Sequence, residues 1–281
     1  MRTLQDVGTL RELVRETRAQ GRLIGFVPTM GALHAGHLAL VSRGRKEGGL
    51  LAVSIFVNPL QFAPGEDFAR YPRRMEEDAA LLAAAGVDLL YTPEEASFYP
   101  PGFATSVEVA GVSEGGEGAV RRGHFRGVAT VVTKLFQQVA PDRAYFGRKD
   151  LQQIAVVRRL IADLDFDIRI VVVETVRDGD GLAISSRNAY LSPEERRLAA
   201  GFPRALFTAR EAAAHGERDA GALVRRTREA LDRAGFEVDY VVAVDPETML
   251  PAARIQAGTA LTAAIRLGKT RLIDNVSLLE P

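Results

Sequence analysis

The chain reads as an α/β protein, with a doubly wound parallel sheet expected over residues 1–175 and a smaller C-terminal α+β domain over 176–281. Two runs and the length carry that expectation. Leu23-Ile24-Gly25-Phe26-Val27 is an apolar run that leads into a Gly-rich turn and then into the helical spacing Leu38, Leu40, Val41, the pattern of strand, turn and helix. Leu50-Leu51-Ala52-Val53-Ser54-Ile55-Phe56-Val57 is apolar on both faces, as suits a central strand of a covered parallel sheet. At 281 residues the chain exceeds one typical domain of about 150 and leaves room for two.

Composition removes several classes of function. Basic and acidic residues balance at 36 each, so the overall positive field of a nucleic-acid binder is missing. With no Cys there is no disulfide framework, which fits a cytoplasmic protein. Met1-Arg2-Thr3-Leu4-Gln5-Asp6 lacks the apolar core of a signal peptide, and no stretch approaches the ~18 uncharged apolar residues of a membrane span. Neither nucleic acid nor membrane is expected as a partner.

Taken in order, Leu10, Leu13 and Val14 with a stop at Gly21 predict a short surface helix before the first strand. The turn after that strand is Pro28-Thr29-Met30-Gly31-Ala32-Leu33-His34-Ala35-Gly36-His37. A strand–turn–helix junction aims backbone N–H groups and the positive end of the helix dipole at its occupant, and Gly31 and Gly36 permit close approach, so a phosphate suits it. His34 and His37 are three apart, close enough in helical spacing to reach one ligand. The competing readings are two structural histidines capping a turn or half of a metal site, and four His with no Cys provide little for the latter.

The 50–57 strand ends in Asn58-Pro59-Leu60-Gln61-Phe62, where open α/β sheets bind ligands, and Gln61 both donates and accepts, as recognition of a hydroxy acid requires. Glu76, Glu77 and Asp78 open a helix that stops at Gly86, a placement the dipole favours. Val87–Tyr91 predicts a strand and 92–103 a loop. Gly111-Val112-Ser113-Glu114-Gly115-Gly116-Glu117-Gly118 has the composition of a flexible lid or cleft edge, followed by Arg121 and His124. Val128, Val131, Val132, Leu135, Phe136 and Val139 then mark a buried helical face.

A second strand–Gly–helix junction is Ala144-Tyr145-Phe146-Gly147-Arg148-Lys149-Asp150-Leu151-Gln152-Gln153, in which Lys149 suits a polyphosphate and Gln153 can share a small acid with Gln61. Asp167–Val173 predicts the last strand of the large sheet. Ser185, Ser186 and Arg187 offer two hydroxyls and a permanent cation. Ser192, Pro193 and Glu195 form a capping box, a helix runs from about Ala220 to Ala234, and strands are expected over 236–244, 261–265 and 272–278.

Pro-Thr-Met-Gly-Ala-Leu-His-Ala-Gly-His at 28–37 resembles the His-x-Gly-His signature of the nucleotidyltransferase superfamily. With Asn-Pro-Leu-Gln-Phe at 58–62, the 144–153 string and Ser185-Ser186-Arg187, the chain resembles the pantoate–β-alanine ligase family. The resemblance implies a Rossmann-like fold and ATP-dependent joining of pantoate to β-alanine through a pantoyl adenylate, giving pantothenate, AMP and pyrophosphate, with Mg²⁺ as cofactor and a homodimer. On that basis His34, His37, Lys149 and Arg187 are the expected catalytic residues. ATP is expected on Met30, Gly31, Ala32, Leu33, His34, Ala35, Gly36 and His37, on Gly147, Arg148, Lys149 and Asp150, and on Val176, Ile184, Ser185, Ser186 and Arg187. Gln61 and Gln153 are the expected pantoate ligands, and either Glu77 or Asp78 the metal ligand. His37 either titrates or only donates hydrogen bonds. The chain departs from the family pattern at Glu77 (usually Asp), Arg122 (usually Pro), Arg148 (usually Glu) and Ile184 (usually Met or Leu). A superfamily member using a phosphate-bearing acceptor is the nearest rival; such acceptors call for extra cations, and Gln61 and Gln153 are neutral.

Overall fold

A computed structural model of the chain describes residues 1–280. Contacts divide it into two compact units: residues 1–109, 122–147 and 156–173 form the first, and 110–121, 148–155 and 174 onward the second.

The first unit is built on six parallel strands: β1 Arg2–Leu4, β2 Ile24–Thr29, β3 Leu50–Ile55, β4 Leu89–Tyr91, β5 Arg143–Gly147 and β6 Arg169–Val173. They lie in the order β1-β4-β3-β2-β5-β6, every neighbouring pair parallel. The helices of this unit are α1 Val7–Ala19, α2 Ala35–Lys46, α3 Met75–Ala84 and the one-turn α4 Glu95–Phe98. The one-turn α5 Gly116–Val120 belongs to the second unit; α6 His124–Val139 and the later part of α7 Leu151–Asp163 return to the first. The doubly wound class expected from the sequence is therefore present. All six residues of β3 are buried, which is why the run carries no polar alternation. Val27, Val41, Val53, Leu82, Leu90 and Tyr145 pack together between sheet and helices. The chain moves outward from β2 to β3 and later returns on the other side as β5, so strand order reverses between β2 and β5. Ligands of open sheets bind at the carboxyl ends of the strands flanking such a reversal.

Three short elements differ from expectation: β1, α4, and α5, which overlaps the stretch read as a flexible loop. β1, pairing Arg2, Thr3 and Leu4 with Leu89, Leu90 and Tyr91, is too short to show alternation and exists because β4 offers it an edge. α4 lies within the stretch expected to be a loop.

The second unit is an antiparallel meander of β7 Glu237–Val244, β8 Ala260–Leu267 and β9 Thr270–Ser277, in the order β7-β8-β9. Helices α8 Pro193–Ala199, α9 Gly201–Ala214 and α10 Ala220–Arg233 accompany it. The capping box forms as read: Ser192 Oγ accepts the Glu195 N–H at 3.2 Å and Glu195 accepts the Ser192 N–H at 2.8 Å. Phe202, Leu206, Leu223, Leu231, Leu261 and Ile265 form its core. Among the described residues no helix is long and apolar enough to cross a membrane.

Candidate active site

In the first unit the string after β2 is a short, strained turn held from one side. Gly31 and Ala32 are both left-handed, at φ +80° and +51°, a conformation natural to glycine and costly for alanine. What holds it is Asp78, the buried fourth residue of α3, whose two carboxylate oxygens accept the N–H groups of Ala32 and Leu33 at 2.8 Å each. Thr29 adds a brace, donating to the Ser54 carbonyl at 2.7 Å and accepting from the Gly31 N–H at 3.1 Å.

The turn delivers His34 to the N-cap of α2 and His37 to its third position. His34 Nδ1 accepts the Gly36 N–H at 3.1 Å, and His37 Nδ1 accepts the His34 N–H at 3.3 Å. A ring nitrogen that accepts carries no proton, so in each neutral ring the proton sits on Nε2, which becomes a donor. The ring centroids are 4.1 Å apart. Two imidazole N–H donors are thus paired at the positive end of a helix dipole.

The 58–62 turn is locked by one amide. Asn58, 1% exposed, donates from Nδ2 to Gln61 Oε1 at 3.0 Å and to the Gly127 carbonyl at 3.1 Å, and its Oδ1 accepts the Tyr99 hydroxyl at 2.9 Å and the Leu60 N–H at 3.3 Å. Gln61 then has its Nε2 toward Met30 Sδ, 3.1 Å away. His124, the first residue of α6, donates from Nδ1 to the Gln61 carbonyl at 2.8 Å, which leaves Nε2 as the acceptor in its neutral form, the reverse of His34 and His37. Tyr99 was not singled out from the sequence. The Asn-Pro turn marks Asn58, but nothing local reveals that Tyr99 reaches it.

In the second unit, Arg148, Lys149 and Asp150 form a single 3₁₀ turn before α7. Lys149 Nζ lies 3.6 Å from the Asp150 carboxylate. Arg148, where the family has Glu, is paired through Nε with Glu174 at 2.6 Å, so its charge is balanced locally. Gln153, on the first turn of α7, is half-buried. Its neighbour Gln152 is buried, accepting the Glu117 N–H at 3.0 Å and donating to the carbonyls of Val112 and Gly115 at 2.9 and 2.8 Å.

Those bonds tie down the segment whose composition predicts a lid. Glu117, 6% exposed, receives both terminal nitrogens of Arg271 at 2.6 and 2.9 Å, the Tyr240 hydroxyl at 3.2 Å and Arg121 at 3.5 Å. Burial acts to lower the pKa of Arg271, but hydrogen bonding and charge from Glu117 outweigh it and push it up. Its glycines suggest freedom, yet the segment is anchored by a buried ion pair 154 residues away in sequence.

The third string is also organised from a distance. Ser185 caps a 3₁₀ turn over Ser186–Tyr190 and accepts the Arg187 N–H at 3.3 Å. Val176 accepts the Ile184 N–H at 3.0 Å, closing the 177–183 hairpin, and Arg177 in that hairpin is paired through both terminal nitrogens with Asp274 at 2.7 and 2.9 Å.

The residues expected to hold a metal do not form a cage. Asp78 already accepts two backbone N–H groups. Glu77 points outward, its side chain 69% exposed, with Arg74 at 3.6 Å. No group of three His, Asp or Glu capable of holding a metal occurs among the described residues. Mg²⁺ is commonly held by one or two carboxylates together with substrate phosphates and water, an arrangement that needs no such group.

Comparison with known proteins agrees with this architecture. The family model described as pantoate-beta-alanine ligase matches residues 2–277. A pantothenate synthetase from Rhizorhabdus wittichii is 55% identical over 279 residues, covering 99% of each chain, and one from Thermus thermophilus is 54% identical over 277 residues, covering 98% of this chain and 99% of the relative. A crystal structure of the Thermus thermophilus pantothenate synthetase superposes with a TM-score of 0.94 at 51% identity, covering 99% of this chain and 100% of the other. The Francisella tularensis pantoate-beta-alanine ligase, solved as a complex with beta-gamma ATP and beta-alanine, gives a TM-score of 0.82 at 31% identity over 99% of this chain and 98% of that one. Given a doubly wound sheet with imidazole donors beyond its reversal point, and relatives that match along the whole length, the chain belongs to the pantoate–β-alanine ligase family.

Proposed function

We propose that the chain joins pantoate to β-alanine at the expense of ATP, through pantoyl adenylate. In the first half-reaction a pantoate carboxylate oxygen bonds to the α-phosphorus as the bond from that phosphorus to the oxygen bridging to the β-phosphorus breaks, and pyrophosphate leaves with the electron pair. In the second, the amine of β-alanine attacks the pantoyl carbonyl carbon, the bond from that carbon to the AMP oxygen breaks, and the nitrogen loses a proton as the amide forms.

The observation that carries the chemistry is the pair of Nδ1 atoms on His34 and His37, both committed to backbone N–H groups. With both Nδ1 atoms accepting, each neutral imidazole carries its proton on Nε2 and can donate it in a hydrogen bond to a phosphate oxygen. Lys149, Ser186 and Arg187 add charge and donors for the polyphosphate, with Gly147, Arg148, Asp150, Val176, Ile184 and Ser185 around it. Gln61, already oriented by Asn58, and Gln153 hold pantoate. Mg²⁺ would be held by the nucleotide phosphates with at most one carboxylate of the chain, Glu77 or Asp78, and would neutralise phosphate charge when bound. None of these groups bonds covalently to substrate; the catalysis is positioning and electrostatic stabilisation.

The test is exchange of labelled pyrophosphate into ATP, with Mg²⁺ and pantoate and without β-alanine, followed by AMP release on adding β-alanine. Exchange should require pantoate, and AMP should appear only with β-alanine. Lys149→Ala should slow exchange by about 10²-fold or more with the fold intact. Exchange supported only by a phosphorylated acceptor would replace the substrate assignment, and a Lys149→Ala variant with normal exchange would remove Lys149 from the mechanism.

A further inference from the structure

β9 is the last strand, remote in sequence from every motif described above, yet two adjacent residues on it reach two of those motifs. Asn275, 4% exposed, donates from its single Nδ2 to the carbonyls of both Arg148 and Lys149, each at 2.9 Å. Asp274, 1% exposed, accepts the bidentate Arg177 guanidinium and, through Oδ1, the Asn275 N–H at 2.8 Å. Arg177 extends the connection by donating to the Gly181 carbonyl at 3.0 Å and to the Asn275 carbonyl at 3.1 Å, and it bridges to Ala183, two residues before Ser185.

A small sheet needs none of this to fold. Its core is apolar, and an edge strand can leave its outer groups to solvent. Burying an aspartate and an asparagine there carries a desolvation cost that their hydrogen bonds must offset. Those bonds terminate on the backbone that carries Lys149 and on the hairpin that carries Ser185, Ser186 and Arg187.

We propose that Asp274 and Asn275 are positioning residues for adenylyl transfer, Asn275 fixing the backbone from which Lys149 extends and Asp274, through Arg177, fixing the hairpin that presents Ser186 and Arg187. This rests on the reading above that Lys149, Ser186 and Arg187 meet the ATP phosphates. The mechanism is geometric. Two amide hydrogens held by two successive carbonyls remove the rotation of that turn, and a displacement of about 1 Å at a group acting on a transferring phosphoryl can cost about 10²-fold in rate.

The experiment is pantoate-dependent pyrophosphate exchange, with melting temperature measured alongside, on Asn275→Ala, Asn275→Ser, Lys149→Ala and the Asn275→Ala/Lys149→Ala double variant. Asn275→Ala should lower kcat/KM for ATP at least tenfold and leave KM for pantoate within twofold. Asn275→Ser, which retains one donor, should lose less, and it stands in if the alanine variant does not fold. In the Lys149→Ala background the asparagine substitution should change exchange less than twofold, because the group it positions is gone. An equal loss in both backgrounds, or a variant that melts lower but exchanges normally, would make Asn275 merely structural and overturn the proposal. Lys149→Ala impaired with Asn275→Ala normal sinks this inference alone; Lys149→Ala normal sinks the reading of Lys149 and this inference with it.

Discussion

Asp78 shows how a residue's setting, rather than its type, assigns its task. Three carboxylates in a row at a helix start read identically in sequence, as dipole partners or as metal ligands. Only packing separates Asp78, buried against two left-handed residues, from Glu77, exposed one position earlier. Removing it leaves the part-buried N–H groups of Ala32 and Leu33 without this acceptor and the strained turn without its clamp. Asp78→Ala should lower unfolding free energy by about 2–4 kcal/mol, the sum of two such losses. It should also slow pyrophosphate exchange by about 10²-fold through displacement of His34 and His37. Urea unfolding and the exchange assay measure the two separately; normal exchange would mean that the histidines find their places without this support.

At the scale of elements, α6 and the 58–61 turn illustrate a contact that periodicity cannot announce. Val128, Val131, Val132, Leu135 and Val139 revealed the helix and its buried face. Gly127 on the same helix is where the turn carrying Gln61 lies directly on the helix: a Cβ there would overlap the Leu60 carbonyl group and sit 2.6 Å from Gln61 Cα. Gly127→Ala must push the turn away and stretch the bond from Asn58 to the Gly127 carbonyl. KM for pantoate should rise about tenfold with KM for ATP little changed, at a stability loss of about 1–3 kcal/mol from overpacking. Unchanged pantoate dependence would show that Gln61 tolerates the shift or does not bind pantoate. The 111–118 segment carries the converse lesson. Glycine content gives conformational freedom to an isolated loop, but Glu117 and Gln152 supply enough bonds to fix this one.

At the scale of the whole molecule, four of the six tyrosines report on folding through pH. Burial pushes Tyr91 and Tyr145 up to about 12 and raises Tyr99 and Tyr240 further. An unfolded chain releases these protons near pH 10. The native state therefore holds more protons than the unfolded state above that value. This contribution to stability is complete below about pH 10 and is lost as pH rises from there through about 12. Tyrosinate absorbance at about pH 11 should be well below that of the urea-unfolded chain, and the denaturant midpoint should fall over this window. Native and unfolded titration curves that coincide would contradict the burial.

The sequence by itself determined the fold class, nearly every long element and the motifs, because each is written in local terms: a strand run buried on both faces, a helical spacing, a capping box, a His-x-Gly-His string at a strand end. It also carried the family, since the strings occur together and in order. Tertiary structure decided the rest. β1 became a strand because β4 has an edge for it, the acids of α3 were sorted by depth, the tautomers of His34 and His37 were set by the N–H groups that reach them, and the glycine-rich segment was fixed by Arg271. In each case the partner is distant in sequence or contributed by the backbone, so the deciding energy arises only when the fold brings the two together.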